Sequence, residues 1–181
     1  MKTQKTKKPT WIDVKKSIKD IESSRLVELV KELYQLSDEN KNFLHARFNG
    51  GADSLNNYKK IILDSLYTDV LDDIDNFDFD RAENAIQTYA KATNDKEGIA
   101  DLMIYYVECG NRFTLDFGDI NEVFYDSLVE MYEKAIITVL NLPKSKQAPL
   151  RKRIKYIMES ANGIGWGYYD DLCHFYHEAF E

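Results

Sequence analysis

Four side chains that can bind a divalent metal fall within eight residues near the end of the chain. Asp171, His174 and Glu178 are spaced i, i+3 and i+7, and His177 lies three residues after His174. Residues three, four and seven apart share one side of an α-helix, so this spacing places carboxylate and imidazole groups close together. Zinc and iron sites use such pairs. One hypothesis for this segment is therefore a metal-assisted, hydrolase-like enzyme.

The alternative is that the same segment is simply the last helix of a helical protein. A metal site generally needs three or four protein ligands, and no second segment offers a matching Glu-x-x-His pair. Asp170 and Asp171 would then favour the helix N-terminus. Five large side chains would dock the helix: Tyr168, Leu172, Phe175, Tyr176 and Phe180. We favour this interpretation and expect neither a cofactor nor a catalytic residue.

The motif "GIGWG" at residues 163–167 comes just before that helix. It is not the dinucleotide-binding glycine fingerprint, and no Lys-Ser/Thr pair follows it as in a phosphate-binding loop. We interpret Gly163 as the residue that ends the preceding helix. Gly165 and Gly167 would form a turn around Trp166, which we expect to be buried.

An acidic stripe marks a long helix predicted to run from Asp119 to about Asn141. Its carboxylates recur at offsets of 0, 3, 7, 11 and 14 residues: Asp119, Glu122, Asp126, Glu130 and Glu133. The opposite side carries apolar residues: Ile120, Val123, Leu128, Met131 and Ile136. Such a stripe is either a solvated outer face or a surface for a basic partner. The five carboxylates are our candidates for an interaction surface.

A basic segment follows at residues 144–155, after an acidic stretch. Its six positive side chains are the candidates for binding an anion or a nucleic acid: Lys144, Lys146, Arg151, Lys152, Arg153 and Lys155. Residues 69–133 carry 17 acidic and 4 basic side chains, which disfavours general binding to a phosphate backbone. We predict a loop at 143–149, with Pro149 at the start of a helix.

Helical spacing of apolar residues extends over most of the chain, which holds only 8 glycines and 3 prolines. It predicts an all-α protein of about eight or nine antiparallel helices. These form either an irregular multihelical bundle or a helical-repeat-like stack, a short α-solenoid. We expect a basic flexible tail at 1–9, one domain over 10–181 and a mobile acidic connection at 68–80.

Individual helices are predicted from caps and apolar spacing. Thr10 and Asp13 form a capping-box pattern before a first helix whose buried stripe is Val14, Ile18 and Ile21. The next stretch carries a longer stripe: Leu26, Val27, Leu29, Val30, Leu33 and Leu36. A later helix is expected to begin after the cap Asp95 and to stop at Gly110.

The compartment follows from the cysteines and from hydropathy. Cys109 and Cys173 are far apart and form no disulfide framework, which favours a reducing compartment. No apolar run reaches about 18 residues. We expect a cytoplasmic protein without membrane contact.

Three blocks of the chain resemble a family of small bacterial proteins classed as a domain of unknown function. They are "RLVELVKELYQLSDENKNFLHARF" at 25–48, "VECGNRFTLDFGDINEVFYDSLVEMYEKA" at 107–135 and "GIGWGYYDDLCHFY" at 163–176. The resemblance covers most of the chain and implies a helical bacterial protein. It implies no activity, ligand or catalytic residue.

The function that these observations favour is a non-enzymatic, helical protein–protein interaction or scaffold module. The polarised charge, the 12 tyrosines and the lack of any catalytic motif support it. Its partner would be another protein or a second copy of the chain. The metal-assisted enzyme and the anion- or nucleic-acid-binding protein are the two alternatives.

Overall fold

The computed structural model describes residues 8–67 and 77–181, and all regular structure in these ranges is helical. The described chain contains nine helices: α1 (Trp11–Ile18), α2 (Ser23–Leu36), α3 (Asp38–Phe48), α4 (Ala52–Leu66), α5 (Phe79–Ala92), α6 (Lys96–Phe117), α7 (Glu122–Leu140), α8 (Lys144–Ser160) and α9 (Tyr168–Phe180). The all-α prediction is confirmed, and of the two architectures considered the protein is a bundle.

The chain divides into two compact units, the first ending at Lys41 and the second beginning at Asn42. The single domain predicted over 10–181 stays a prediction. Most of the predicted basic tail and of the predicted acidic connection lies outside the described residues.

The first unit contains α1, α2 and the beginning of α3. The predicted capping box is confirmed, because the Asp13 carboxylate accepts hydrogen bonds from the backbone N–H and the hydroxyl of Thr10, both at 2.8 Å. The buried stripes predicted for α1 and α2 are wrong. No residue of these two fully described helices is buried, and Trp11 and Val27 are 67% and 69% exposed. Periodicity shows that one side of a helix is apolar, but it does not show what covers that side.

The second unit is built from helices that alternate in direction from α4 to α9. α4 runs parallel to α6, since Lys59 pairs with Asp101 and the Tyr67 hydroxyl donates to Asp116 at 2.6 Å. α7 runs antiparallel to α6, since Thr114 contacts Tyr125 and the Thr138 hydroxyl donates to the sulfur of Met103. The predicted antiparallel succession of helices is therefore confirmed in this unit.

α6 is the central helix and packs against α4, α5, α7 and α8. It does not stop at Gly110 as predicted but continues to Phe117. Gly110 is buried at the crossing with α7, where a Cβ atom would lie 2.4 Å from Cδ2 of Leu128. A glycine near a helix end predicts a C-terminus from sequence, but here it allows two helices to approach closely.

Two other predicted boundaries are wrong in the same region. α7 begins at Glu122 instead of Asp119, because the Asn121 side chain caps it by accepting from the Phe124 N–H at 2.9 Å. The segment 143–149 is not a loop but the beginning of α8, and Pro149 lies inside that helix. As the sixth residue of α8, Pro149 has no N–H to donate to the carbonyl of Ser145, so the helix continues past it with one hydrogen bond fewer.

The longest of the described helices, α6, carries several charged residues. None of the helices within the described ranges is long and apolar enough to cross a bilayer.

Candidate interaction surface

Two connections of the second unit meet at one end of the bundle. The α6–α7 connection and the α8–α9 turn are adjacent there, since a Cβ atom on Gly165 would lie 3.4 Å from Oδ2 of Asp119. The rings of Tyr125, at the start of α7, and Tyr168, at the start of α9, are 5.2 Å apart. Exposed apolar and acidic residues lie in these two connections and at the adjoining ends of α6 and α7, and we call this set the Trp166 surface: Leu115, Phe117, Asp119, Glu122, Val123, Asp126 and Trp166.

The Tyr125 hydroxyl holds the α6–α7 connection in place. It lies 2.6 Å from the hydroxyl of Thr114, donates to Asp119 at 3.1 Å and accepts from the N–H of Ile120 at 3.4 Å. Burial of the ring raises the pKa of Tyr125, so the phenol stays protonated and can donate. The connection is therefore tied to the core by a hydrogen-bonded side chain and needs no ligand to order it.

Trp166 is the most unusual residue of this surface. The prediction that it is buried is wrong, because 57% of it is exposed to solvent. Its φ angle is +61°, a left-handed conformation that a bulky residue adopts at a cost of roughly 1–3 kcal/mol. The residues on both sides are glycines, and Gly167 also has a positive φ of 72°. The turn therefore bends outward and presents the indole to solvent.

The acidic candidates are divided between this surface and the rest of α7. Asp119 lies in the connection and not on the helix, while Glu122 and Asp126 are exposed at the helix start. Val123, expected on the buried side, is 68% exposed beside them. Glu130 and Glu133 are exposed further along, and Glu130 pairs with Lys134 at 2.7 Å. The first three carboxylates and the exposed Val123 thus lie at the start of α7 or just before it.

Tyr168 lies beneath the Trp166 surface, and its hydroxyl is buried with no hydrogen-bond partner among the described residues. We expect Tyr168→Phe to stabilise the protein by about 1 kcal/mol, because an unpaired buried hydroxyl costs free energy in the folded state. Chemical denaturation measures the change.

Tyr125→Phe is the matched control for that variant, because it removes a hydroxyl that is hydrogen-bonded. It should destabilise the protein by about 1 kcal/mol. Equal effects of the two variants would show that the Tyr168 hydroxyl is in fact satisfied.

The metal candidates are exposed on α9 and pair along the helix. His174 Nε2 lies 3.6 Å from a carboxylate oxygen of Glu178, and His177 Nδ1 lies 2.6 Å from one of Glu181. Asp171 lies in the first turn. Among the residues that the structure describes, no three His, Cys, Asp or Glu side chains are grouped so that they could hold a metal ion.

The basic candidates are not gathered into one patch. Arg151 donates to the hydroxyl of Tyr176 at 3.1 Å and to the backbone carbonyl of Phe180 at 3.2 Å. Lys146 pairs with Glu97 at 2.9 Å and Lys155 with Glu159 at 3.5 Å. Lys144 and Lys152 are exposed. Much of the positive charge of α8 is therefore directed to other parts of the same unit.

The sixth basic candidate, Arg153, is the centre of a half-buried charge network that joins α4, α6 and α8. It forms a bidentate pair with Glu108 at 2.7 and 2.8 Å and also contacts Asp101. Lys59 reaches the other oxygen of Asp101 at 2.7 Å. Burial opposes ionisation of Asp101, but hydrogen bonds from Lys59 and Arg153 outweigh it and lower the pKa of this carboxyl.

Sequence reasoning missed this network because its members are far apart in the chain. The spacing of Asp101 and Glu108, seven residues apart on one side of α6, was the one local signal. That signal does not reveal which cations would cover the two carboxylates.

The fold and the surface together define an all-α bundle with an exposed tryptophan in a turn adjacent to the acidic α6–α7 connection. The model of the family of unknown function DUF6155 matches residues 10–181. The chain therefore belongs to this family. No curated protein and no solved structure matches the chain.

Proposed function

We propose that the protein is a non-enzymatic interaction module and that the Trp166 surface binds a basic, amphipathic helix of a partner protein. The observation that carries the proposal is the exposed indole of Trp166, in a left-handed backbone conformation and next in the chain to Gly165, which lies against the carboxylate of Asp119. Strained, exposed residues on a rigid support are typical of binding sites.

The chemistry of the surface selects the partner. Exposed apolar side chains would accept the apolar side of a helix, and tryptophan is among the residues that contribute most to binding at protein interfaces. The three carboxylates, on Asp119, Glu122 and Asp126, would meet lysines or arginines at the edge of that helix. Complementary charge of this kind fixes specificity and speeds association.

Preorganisation supports the same proposal. The hydrogen bonds of Tyr125 hold Asp119 and the backbone of Ile120 in place. A partner would therefore not have to order this connection on binding, which removes part of the entropic cost of association.

Binding of a designed peptide tests the proposal. The probe is a fluorescently labelled amphipathic helix of leucine and lysine, about 18 residues long, and the control replaces every lysine by glutamate. We expect saturable binding of the lysine peptide, weakened by salt, and much weaker binding of the glutamate peptide. Equal affinity for the two peptides, or no binding of either, would contradict the proposal.

Two variants locate the binding site. Trp166→Ala should weaken the affinity roughly 30-fold, which corresponds to about 2 kcal/mol. Tyr156→Ala is its matched control, because it removes another exposed aromatic side chain, on α8. Equal losses in the two variants would show that the peptide does not bind at Trp166.

A second pair of variants tests the charges. Glu122→Gln with Asp126→Asn should lower both the affinity and its dependence on salt. Asp53→Asn with Glu97→Gln removes two charges near the N-termini of α4 and α6, at the other end of the bundle, and should leave both unchanged.

A further inference from the structure

We infer that α2 is a self-association element, which pairs in parallel with α2 of a second copy of the chain. Its leucines follow a 3-4-3 spacing: Leu26, Leu29, Leu33 and Leu36. This is the a-d-a-d pattern of a coiled-coil seam, with leucine at every seam position. Leu26, Leu33 and Leu36 are exposed, and no residue of α2 is buried.

The length of α2 requires that something stabilise it. A helix of 14 residues is marginal by itself in water, because nucleation is costly and few hydrogen bonds follow. Its exposed leucines and Val30 form an apolar side. Contact of this side with a second apolar helix would stabilise α2.

The charge of the chain favours a second copy as the occupant. α2 itself carries two basic and two acidic side chains, so two copies of this helix do not repel each other through their net charge. Residues 42–181 carry 14 basic and 24 acidic side chains, so contacts between two copies of the second unit would be repulsive.

The residues beside the seam favour a parallel arrangement. With the leucines in register, Arg25 would face Val30 of the other copy and Glu32 would face Ser37, so no like charges meet. An antiparallel arrangement with the same leucine layers would place Glu32 opposite Glu32 of the other copy. Like charges at these positions are unfavourable.

Sedimentation velocity of the full chain, from about 1 to 200 µM, tests the inference. We expect a dimer that dissociates on dilution. Leu33→Asp should raise the dissociation constant more than roughly tenfold, because it places a charge in the seam. Val27→Asp is the control, since it adds the same charge to the same helix at an exposed apolar residue outside the seam. A wild-type monomer over the whole range, or equal effects of the two variants, would overturn the inference.

Leu33→Ala separates pairing from helix formation. Alanine favours a helix, so this variant should keep the helix and still weaken the dimer. Unchanged dimerisation would overturn the role of the seam.

A cross-link tests the direction of the two helices. In a Cys173→Ser background, Leu36→Cys should form an intermolecular disulfide on mild oxidation, because equivalent seam positions meet only in a parallel pair. Dimers that do not cross-link would exclude the parallel arrangement.

Discussion

Replacing Arg153 by methionine is expected to lower the free energy of unfolding by about 3 kcal/mol at pH 7. The variant leaves Glu108 without its bidentate partner and Asp101 with Lys59 alone, while both carboxylates stay largely buried. Removal of one partner from such a pair is costly because the remaining charge is desolvated and uncompensated. Chemical denaturation of the two proteins measures the difference.

Lys155→Met is the matched control, two residues further along the same helix. Lys155 pairs with Glu159 across one turn of α8, and both side chains are about half exposed. Exposed pairs of this kind contribute roughly 0.3–0.5 kcal/mol. Equal effects of the two methionine variants would contradict the view that the Arg153 network is a major source of stability.

The difference in stability between wild type and Arg153→Met should depend on pH in a definite direction. The pKa of Asp101 is lowered in the folded protein, so its ion pairs stabilise the fold above the unfolded pKa, which is near 4. This contribution is lost as the pH falls through the folded pKa. The stability difference between wild type and Arg153→Met should therefore be largest near neutral pH and should shrink below about pH 4.

Gly110→Val is expected to destabilise the protein by a similar amount, about 3 kcal/mol. The added Cβ would lie 2.4 Å from one methyl carbon of Leu128 and 2.8 Å from the other, and Leu128 is fully buried. Overpacking of this kind costs roughly 1–3 kcal/mol, and valine adds further carbon atoms. The gain in helix propensity over glycine is below about 1 kcal/mol, so the clash outweighs it.

A double-mutant cycle identifies the cause. Leu128→Ala alone should cost about 2–5 kcal/mol by leaving a cavity. In combination with Gly110→Val it should cost clearly less than the sum of the two single changes, because the valine enters the space that the leucine left. Strict additivity would show that Gly110 matters for another reason.

The sequence was sufficient for features that depend on neighbouring residues. The capping box of Thr10 and Asp13 was predicted, as was the cap of α6 by Asp95, which accepts from the N–H of Gly98 at 2.9 Å. The start of the last helix near Tyr168 was also predicted. Capping depends on side chains within three residues of the helix end, so local sequence reveals it.

Features that depend on distant parts of the chain were missed or misread. Gly110 looked like a helix end because its role is set by Leu128 on another helix. Trp166 looked like a core residue because large aromatic residues are often buried, yet the turn that holds it leaves 57% of it exposed. The basic segment looked like one patch, whereas Arg151 and Arg153 face different elements.

For the acidic candidates, too, the sequence predicted the local feature and missed the one that depends on distant residues. Their spacing correctly predicted exposed carboxylates, because a stripe at helical spacing opposite apolar residues is usually solvated. It did not predict that Asp119 lies in a connection or that Val123 and Trp166 are exposed nearby. The position of Asp119 and the exposure of the two apolar side chains are the reasons why we regard this polar face as a candidate binding surface.

The emission of Trp166 tests the proposed binding surface most directly. The chain holds two tryptophans, so a Trp11→Phe background leaves Trp166 as the only tryptophan, which is excited at wavelengths where the tyrosines absorb little. Titration with the leucine–lysine peptide should shift the emission to the blue with saturation, because the bound helix removes water from the indole. The same variant with Glu122→Gln and Asp126→Asn should need a higher peptide concentration for the same shift. Binding of the peptide with no change in Trp166 emission would contradict the account.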